Sequence, residues 1–266
     1  GVSSCTFNVT EFTMGSLVSD LIINQTYQVD IPSGFLVDSN ETSYAGTAYT
    51  FTAQDASQLL FTWGDNEAGE LGQNNLTQRS SPRQVAGTNW GTFNGDGEQD
   101  GVNIFNVKTD GTLWGWGVGT YGQMEGEINL SSPTQIGSDT TWRTVVAGYY
   151  SLLATKTDGT LWAWGYDGYG QSGQNNRTQY SSPTQIPGTT WSDNIASGAN
   201  CYMAIKTNGT LWTWGRASWG QTAQNNIVDY SSPVQIPGTT WRSISAGRHG
   251  PVGATKTDGT LWVWGS

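Results

Sequence analysis

Apolar residues along most of the chain arrive in short runs, and none of the runs carries the 3.6-residue period of a helix. The segment LATKTDGTLWAWG, residues 153–165, shows the pattern. Two runs flank Asp158-Gly159, a tight-turn pair in which Asp supports the turn and Gly takes positive φ, so the segment predicts a β-hairpin. After the turn, Leu161 and Ala163 face one side of a strand while Trp162 and Trp164 face the other. The same alternation sets Leu211 and Thr213 against Trp212 and Trp214, and Leu261 and Val263 against Trp262 and Trp264. Neither side carries charge, which predicts strands covered on both faces. A polar loop follows, YDGYGQSGQNNRTQYSSP, and then two further short strands, TQIPG and TTWSDNIASG.

This pattern repeats. Trp-Gly recurs at Trp63, Trp116, Trp164, Trp214 and Trp264. Ser-Ser-Pro recurs with its proline at Pro82, Pro133, Pro183 and Pro233, and KTDGTLW or KTNGTLW begins at Lys108, Lys156, Lys206 and Lys256. Three markers sharing a period of about 50 residues, with about four strands in each unit, predict the blades of a β-propeller. A single four-stranded blade buries neither face alone, so the repeated Trp residues are read mainly as blade-to-blade packing. The expected fold class is therefore all-β: a propeller of four-stranded blades over residues 46–266, with an N-terminal β-rich segment over residues 1–45. The propeller opens with a divergent half unit near Gly46–Phe61. The chain begins at Gly1 without Met and stops at Ser266, just after a Trp-Gly and halfway through a unit. Either residues 1–45 supply the missing strands and close a five-bladed ring, or the chain is part of a longer one and residues 1–45 attach it elsewhere.

Composition narrows the function. Only 12% of residues are charged, against roughly 25% in an average soluble domain, so the surface rests on Ser, Thr, Asn and Gln. The formal net charge is -10. Nine of the 21 acids and none of the 11 basic residues lie in residues 1–78, so the acidity belongs to that end and the remaining repeats are nearly neutral. A sequence pI near 4.3 argues against a nucleic-acid partner. No apolar stretch reaches the length of a membrane-spanning helix. Two Cys and one His leave little for a disulfide scaffold, a metal site or general-base catalysis. No cofactor, metal or catalytic residue is assigned, and an enzyme is not expected.

The stretch AGYYSLLATKTDGTLWAWGYDGYGQSGQNNRTQYSSPTQI and its copies resemble the regulator of chromosome condensation repeat over about residues 46–266. The founder of that family is a seven-bladed propeller that exchanges guanine nucleotide on a small GTPase and docks on chromatin; a secreted bacterial β-lactamase inhibitor shares the fold. The near-identical copies, SSPTQIPGTTW and KTDGTLWxWG, look most like repeat proteins of aquatic bacteria and their phages. The resemblance implies a non-catalytic extracellular structural or recognition module, on the surface of a phage virion and part of a larger symmetric assembly. The alternatives are a secreted protein-binding inhibitor and a guanine-nucleotide exchange factor. This chain departs from the founder in having about four and a half units and no basic tail.

The loop after each Trp-Gly supplies the candidate binding residues, in an aromatic-Gly-Gln pattern at Tyr121-Gly122-Gln123, Tyr169-Gly170-Gln171 and Trp219-Gly220-Gln221. The first unit has Ala68-Gly69-Glu70 instead. Tyr121, Tyr169 and Trp219 on one propeller face would suit a protein or cell-surface glycan, because Tyr and Trp dominate binding hot spots; the alternative is that they pack over the blade edge. Three other features read as structural. NGDGEQDG, with Asn94, Asp96, Glu98 and Asp100, alternates oxygen donors but lacks the acid at the twelfth place of a calcium loop. His249 in AGRHG reads as a hydrogen-bonded structural histidine. The recurring Asp110, Asp158 and Asp258, with Asn208 in the same place, are turn residues rather than catalytic acids. A disulfide between Cys5 and Cys201 is left open.

Overall fold

The computed structural model describes residues 5–7, 12–14, 26–31, 47–52, 59–91, 103–124, 126, 128–198, 200–247 and 251–265; before residue 59 it describes backbone alone. The chain divides into two compact units, Gly1–Ser57 and Gln58–Ser266. Among the described residues there are 20 strands and no helix. In the first unit, β1 (Cys5–Phe7) pairs with β2 (Phe12–Met14), and β3 (Thr26–Ile31) pairs with β4 (Thr47–Thr52), both antiparallel. β4, which the sequence reading counted in the divergent half unit, is thus a hairpin partner of β3.

The second unit is a series of antiparallel sheets in chain order. The first holds β5 (Phe61–Gly64) and β6 (Arg79–Gln84), and the second holds β7 (Asn103–Val107), β8 (Leu113–Gly117) and β9 (Leu130–Gln135). An isolated bridge, Trp90 to Lys108, adds the start of a fourth strand to that second sheet. Two complete four-stranded blades follow: β10 (Trp142–Ala147), β11 (Ser151–Lys156), β12 (Leu161–Gly165) and β13 (Tyr180–Ile186), then β14 (Trp191–Ser197), β15 (Cys201–Lys206), β16 (Leu211–Gly215) and β17 (Tyr230–Ile236). The last sheet has β18 (Trp241–Ala246), β19 (Val252–Lys256) and β20 (Leu261–Trp264).

The core lies between sheets. One cluster joins Phe105, Leu113 and Ile136 of the second sheet to Trp142, Leu152 and Trp164 of the third. The next joins Leu161, Ala163 and Ile186 of the third to Trp191, Tyr202 and Trp214 of the fourth. The two sides of LWAWG therefore serve different neighbours: Leu161 and Ala163 face the following blade and Trp164 the preceding one. This is why alternation in these strands reads apolar on both sides. Tryptophan also ties successive blades by hydrogen bonds. Trp116 Nε1 donates to the Glu70 carbonyl (2.8 Å), Trp164 to Gln123 (3.0 Å), Trp214 to Gln171 (2.8 Å) and Trp264 to Gln221 (2.7 Å).

The hairpin turns form as their sequence predicts. Gly159 has φ +78°, its N–H donates to the Lys156 carbonyl (3.0 Å), and Lys156 N–H donates to the Thr160 carbonyl (3.0 Å). Lys156 then folds back, its ammonium 4.5 Å from the ring centre of Trp142 and 4.1 Å from that of Trp162. Lys108, Lys206 and Lys256 each stand between the equivalent pair of Trp rings. The four repeated lysines are cation–π bolts within their own blades, each contact contributing about 0.5–1 kcal/mol.

Candidate functional site

The aromatic-Gly-Gln loops combine a scaffold with a presented ring. In each, the Gln side chain turns back so that its Oε1 accepts the N–H of the aromatic residue: Tyr121 to Gln123 (2.8 Å), Tyr169 to Gln171 (2.8 Å) and Trp219 to Gln221 (2.9 Å). In the first unit Glu70 does the same for Ala68 (2.9 Å). The Gln carbonyl takes the indole of the next blade, as above. In the first two of these loops the central Gly is needed for space: a Cβ on Gly122 would lie 2.7 Å from Ser181, and one on Gly170 2.4 Å from Ser231, both on the Ser-Ser-Pro strand of the following blade. Gly220 shares their positive φ (+74°), but a Cβ there would have its nearest neighbour 3.9 Å away. Gly and Gln therefore hold the loop, which leaves the aromatic ring half-buried at its surface.

Those rings do not stand apart. Tyr166, the residue after the third Trp-Gly, sits 5.2 Å from Tyr121 and 6.2 Å from Tyr169 by ring centres. Tyr150, in the turn between β10 and β11, lies 4.7 Å from Tyr121 and 4.2 Å from Tyr149. At the other end the Arg216 guanidinium lies 5.0 Å from the Tyr169 ring and 4.6 Å from that of Trp219. The three residues singled out from sequence thus belong to one file of rings across three blades, joined by Tyr166 and Arg216. Burial, followed by the neighbouring Tyr169 and Tyr121, pushes the Tyr166 phenol above its ordinary pKa, against the pull of Arg177 and Arg216.

Tyr150 has φ +141°, a region that is essentially reserved for glycine. Such a conformation costs on the order of 1–3 kcal/mol and tends to be kept where a site uses it. Its carbonyl accepts the Tyr166 N–H (2.8 Å), which fixes the two tyrosines together. The same place in the next blade holds Asn200, which is buried and accepts a hydrogen bond from Gln171 Nε2 (3.0 Å). The repeat therefore has a structural solution at this position, and the third blade departs from it by placing a strained aromatic. Sequence reading passed over Tyr149, Tyr150, Tyr166 and Arg216. The available signal was the excess of tyrosine in AGYYS and GYDGYG over their own copies, which carry Ala199-Asn200 and Arg216 in those places.

The opposite end of the blades is a set of closed turns. Asp158 Oδ1 accepts the Thr160 N–H (3.0 Å) and hydroxyl (2.6 Å), and the same hydroxyl accepts the Trp162 indole (2.8 Å). Asp110 and Asp258 repeat the arrangement, with Asn208 in the fourth copy. The threonine hydroxyl, and after it the threonine N–H, holds all three aspartates below the usual carboxylate range. A carboxylate whose pKa is depressed by folding adds stability above its unfolded pKa of roughly 3.9 and loses it as pH falls through the lower folded value. Replacing Asp110, Asp158 and Asp258 together by Asn, the residue already present at 208, is therefore expected to flatten the fall in melting temperature as pH drops below about 4. Equal acid sensitivity in the triple variant would place the acid response elsewhere. Asp167 behaves oppositely: burial raises its pKa although Ser172 donates both N–H (2.7 Å) and hydroxyl (2.6 Å) to it.

His249 and the acidic stretch Asn94–Asp100 lie outside the described residues, and so does the side chain of Cys5; Cys201 is buried at the start of β15. Among the described residues no helix is long and apolar enough to cross a membrane.

Comparison with known proteins agrees with this fold. A model of the regulator of chromosome condensation repeat matches residues 59–91 and 158–205, and a second model of the same repeat matches residues 142–171. No curated protein sequence matches the chain. Among solved structures, human WBSCR16 is similar with a TM-score of 0.64 and 21% identity, over 75% of this chain and 53% of its own. Yeast RCC1 (Prp20), solved with Kap60, gives 0.65 and 17% over 83% and 54%. Prp20p from Saccharomyces cerevisiae, described with its binding to Gsp1p and histones, gives 0.57 and 19% over 89% and 56%. The chain spans about half the length of each. The fold is all-β, a β-propeller of four-stranded blades.

Proposed function

We propose that this β-propeller, whose repeats match those of the regulator of chromosome condensation, is a non-catalytic recognition module that holds its partner on the loop face bearing Tyr121, Tyr169 and Trp219. The observation that carries the reading is the file of rings itself. Successive loops use Gly and Gln to brace an aromatic side chain that the scaffold does not bury. Tyr, Trp and Arg, the residue types that make up the file, are those enriched at binding hot spots. The low-charge surface, rich in Asn, Thr and Gly, is compatible with exposure outside a cell, and we place the module on a phage virion surface within a larger symmetric assembly.

Replacing Trp219 by Ala tests the reading, with labelled protein on a panel of bacterial cells. Cell binding is expected to fall at least tenfold, about the 1.4 kcal/mol expected for a modest hot spot, with an unchanged melting temperature. Unchanged binding together with a lower melting temperature would reduce Trp219 to packing. Size-exclusion mass tests the assembly, since a clean monomer counts against it. The second reading, favoured by the likeness to Prp20p, is a guanine-nucleotide exchange factor for a small GTPase. That reading is removed if the chain does not accelerate nucleotide release.

A further inference from the structure

We infer that Tyr121, Tyr149, Tyr150, Tyr166, Tyr169 and Arg216 form a linear binding track for an acidic polysaccharide, a chain of sugar rings bearing carboxylates. The inference rests on the recognition reading above and narrows its partner. Three observations carry it.

The first is shape. Ring centres follow one another at 4.2 to 6.2 Å from Tyr149 through Tyr150, Tyr121 and Tyr166 to Tyr169, and Arg216 continues the succession at 5.0 Å. The rings pack against one another in tilted and edge-on pairs, so no cage opens between them for a single cation or small ligand. All six side chains are half-buried. With aromatic side chains of about 150–250 Å² each, their exposed parts amount to a few hundred Å². A standard protein interface needs about 800 Å² per partner. A narrow file of that area suits a chain-like ligand better than a protein face.

The second is chemistry. Phenol rings offer apolar faces for the C–H faces of sugars and hydroxyls for their polar rims. The Arg216 guanidinium lies over the Tyr169 and Trp219 rings, 5.0 and 4.6 Å from their centres, with its Nε donating to Ser218 Oγ at 3.0 Å. Among the described residues no carboxylate pairs with it. A guanidinium held over aromatic rings keeps its remaining donors available to a carboxylate as a planar fork.

The third is the backbone of Tyr150. Its φ of +141° disfavours any side chain, yet the residue is tyrosine and its ring joins Tyr149 to Tyr121 in the track. If the ring served packing alone, glycine at 150 would weaken the fold. If it serves a ligand, glycine would relieve the backbone and remove the contact.

Alginate, a polymer of uronic acids, is the probe, with neutral dextran and polyglutamate as comparisons, measured by calorimetry on the full chain. The native chain is expected to bind alginate at least tenfold more tightly than either. Tyr150→Gly is expected to weaken alginate binding at least tenfold with an equal or higher melting temperature. Arg216→Gln, a change at the surface, should weaken it similarly and reduce its dependence on salt. Absence of alginate binding overturns the inference, as does equal binding of dextran, and equal binding of polyglutamate would reduce the site to charge alone. Alginate binding that survives both variants overturns the assignment to this track. Should alginate fail while cell binding still depends on Trp219, the polysaccharide inference falls and the recognition reading stands; if Trp219→Ala changes neither, the reading itself falls.

Discussion

Replacing Trp214 by Ala is expected to lower the unfolding free energy by about 3–5 kcal/mol, the range for truncating a buried aromatic. Trp214 is fully buried at the junction of two blades, 6.3 Å from the Trp191 ring and 6.1 Å from that of Tyr202. Its indole N–H also satisfies the Gln171 carbonyl of the preceding blade at 2.8 Å. Alanine would leave both a cavity and an unmet carbonyl, and the carbonyl lies in the loop that braces Tyr169. Trp262, one blade further on, provides the contrast. It is 48% exposed, and it touches the Thr260 hydroxyl, the Lys256 ammonium and, edge-on at 5.9 Å, the Trp241 ring of its own blade. Its truncation is expected to cost about 1 kcal/mol. Urea unfolding of both variants checks the pair. Similar losses would mean that the Trp residues act within their own sheets and not as ties between blades.

That contrast also separates what the sequence disclosed from what it withheld. The 50-residue period and the alternation in LWAWG were sufficient to predict strands covered on both faces, because repeated chemistry implies repeated surroundings. The expectation holds for Leu161 and Leu211, which are fully buried, and gives way at Leu261, which is 70% exposed. The residues of the last copy are the same, but among the described residues no strand pairs with the outer edge of β20. The repeat dictates the chemistry of a position, and its neighbours decide its burial. The Lys–Trp–Trp bolts were hidden for a related reason. Periodicity showed that Lys156 and Trp142 both recur, and only the fold of the hairpin against β10 shows that they touch.

The proposed binding face was half legible. Tyr121, Tyr169 and Trp219 stood out because they share a place in the repeat, and the structure joins them in one file. Tyr150 and Tyr166 were invisible to that method because they break the repeat. Arg216 replaces Tyr166 one unit later, and Asn200 replaces Tyr150. Comparing copies finds what recurs, so the residues proposed for the partner that break the repeat, Tyr150, Tyr166 and Arg216, escape it. The aromatic-Gly-Gln pattern mixes the two kinds: its Gly and Gln recur for the scaffold, while its aromatic is presented.

Gly209→Ala and Gly259→Ala measure directly how much one blade constrains the next. Both glycines occupy the same place in the same hairpin turn, with φ +76° and +85°. Both substitutions place a Cβ in the left-handed region, at a cost of about 1–2 kcal/mol each. They differ in what lies beyond. A Cβ on Gly209 would stand 2.2 Å from the Thr239 carbonyl oxygen, on the segment that leads into β18 of the following blade, whereas one on Gly259 meets open space. The Gly209 carbonyl also accepts the Trp241 N–H at 3.0 Å, so the approaching segment is tethered to the turn it would clash with. Relief requires the junction to open, which adds overpacking strain of about 1–3 kcal/mol. Gly209→Ala is therefore expected to destabilise by about 1–3 kcal/mol more than Gly259→Ala in parallel urea titrations. Equal losses would mean that the segment entering β18 yields freely, and that each blade holds its own turn without help from its successor.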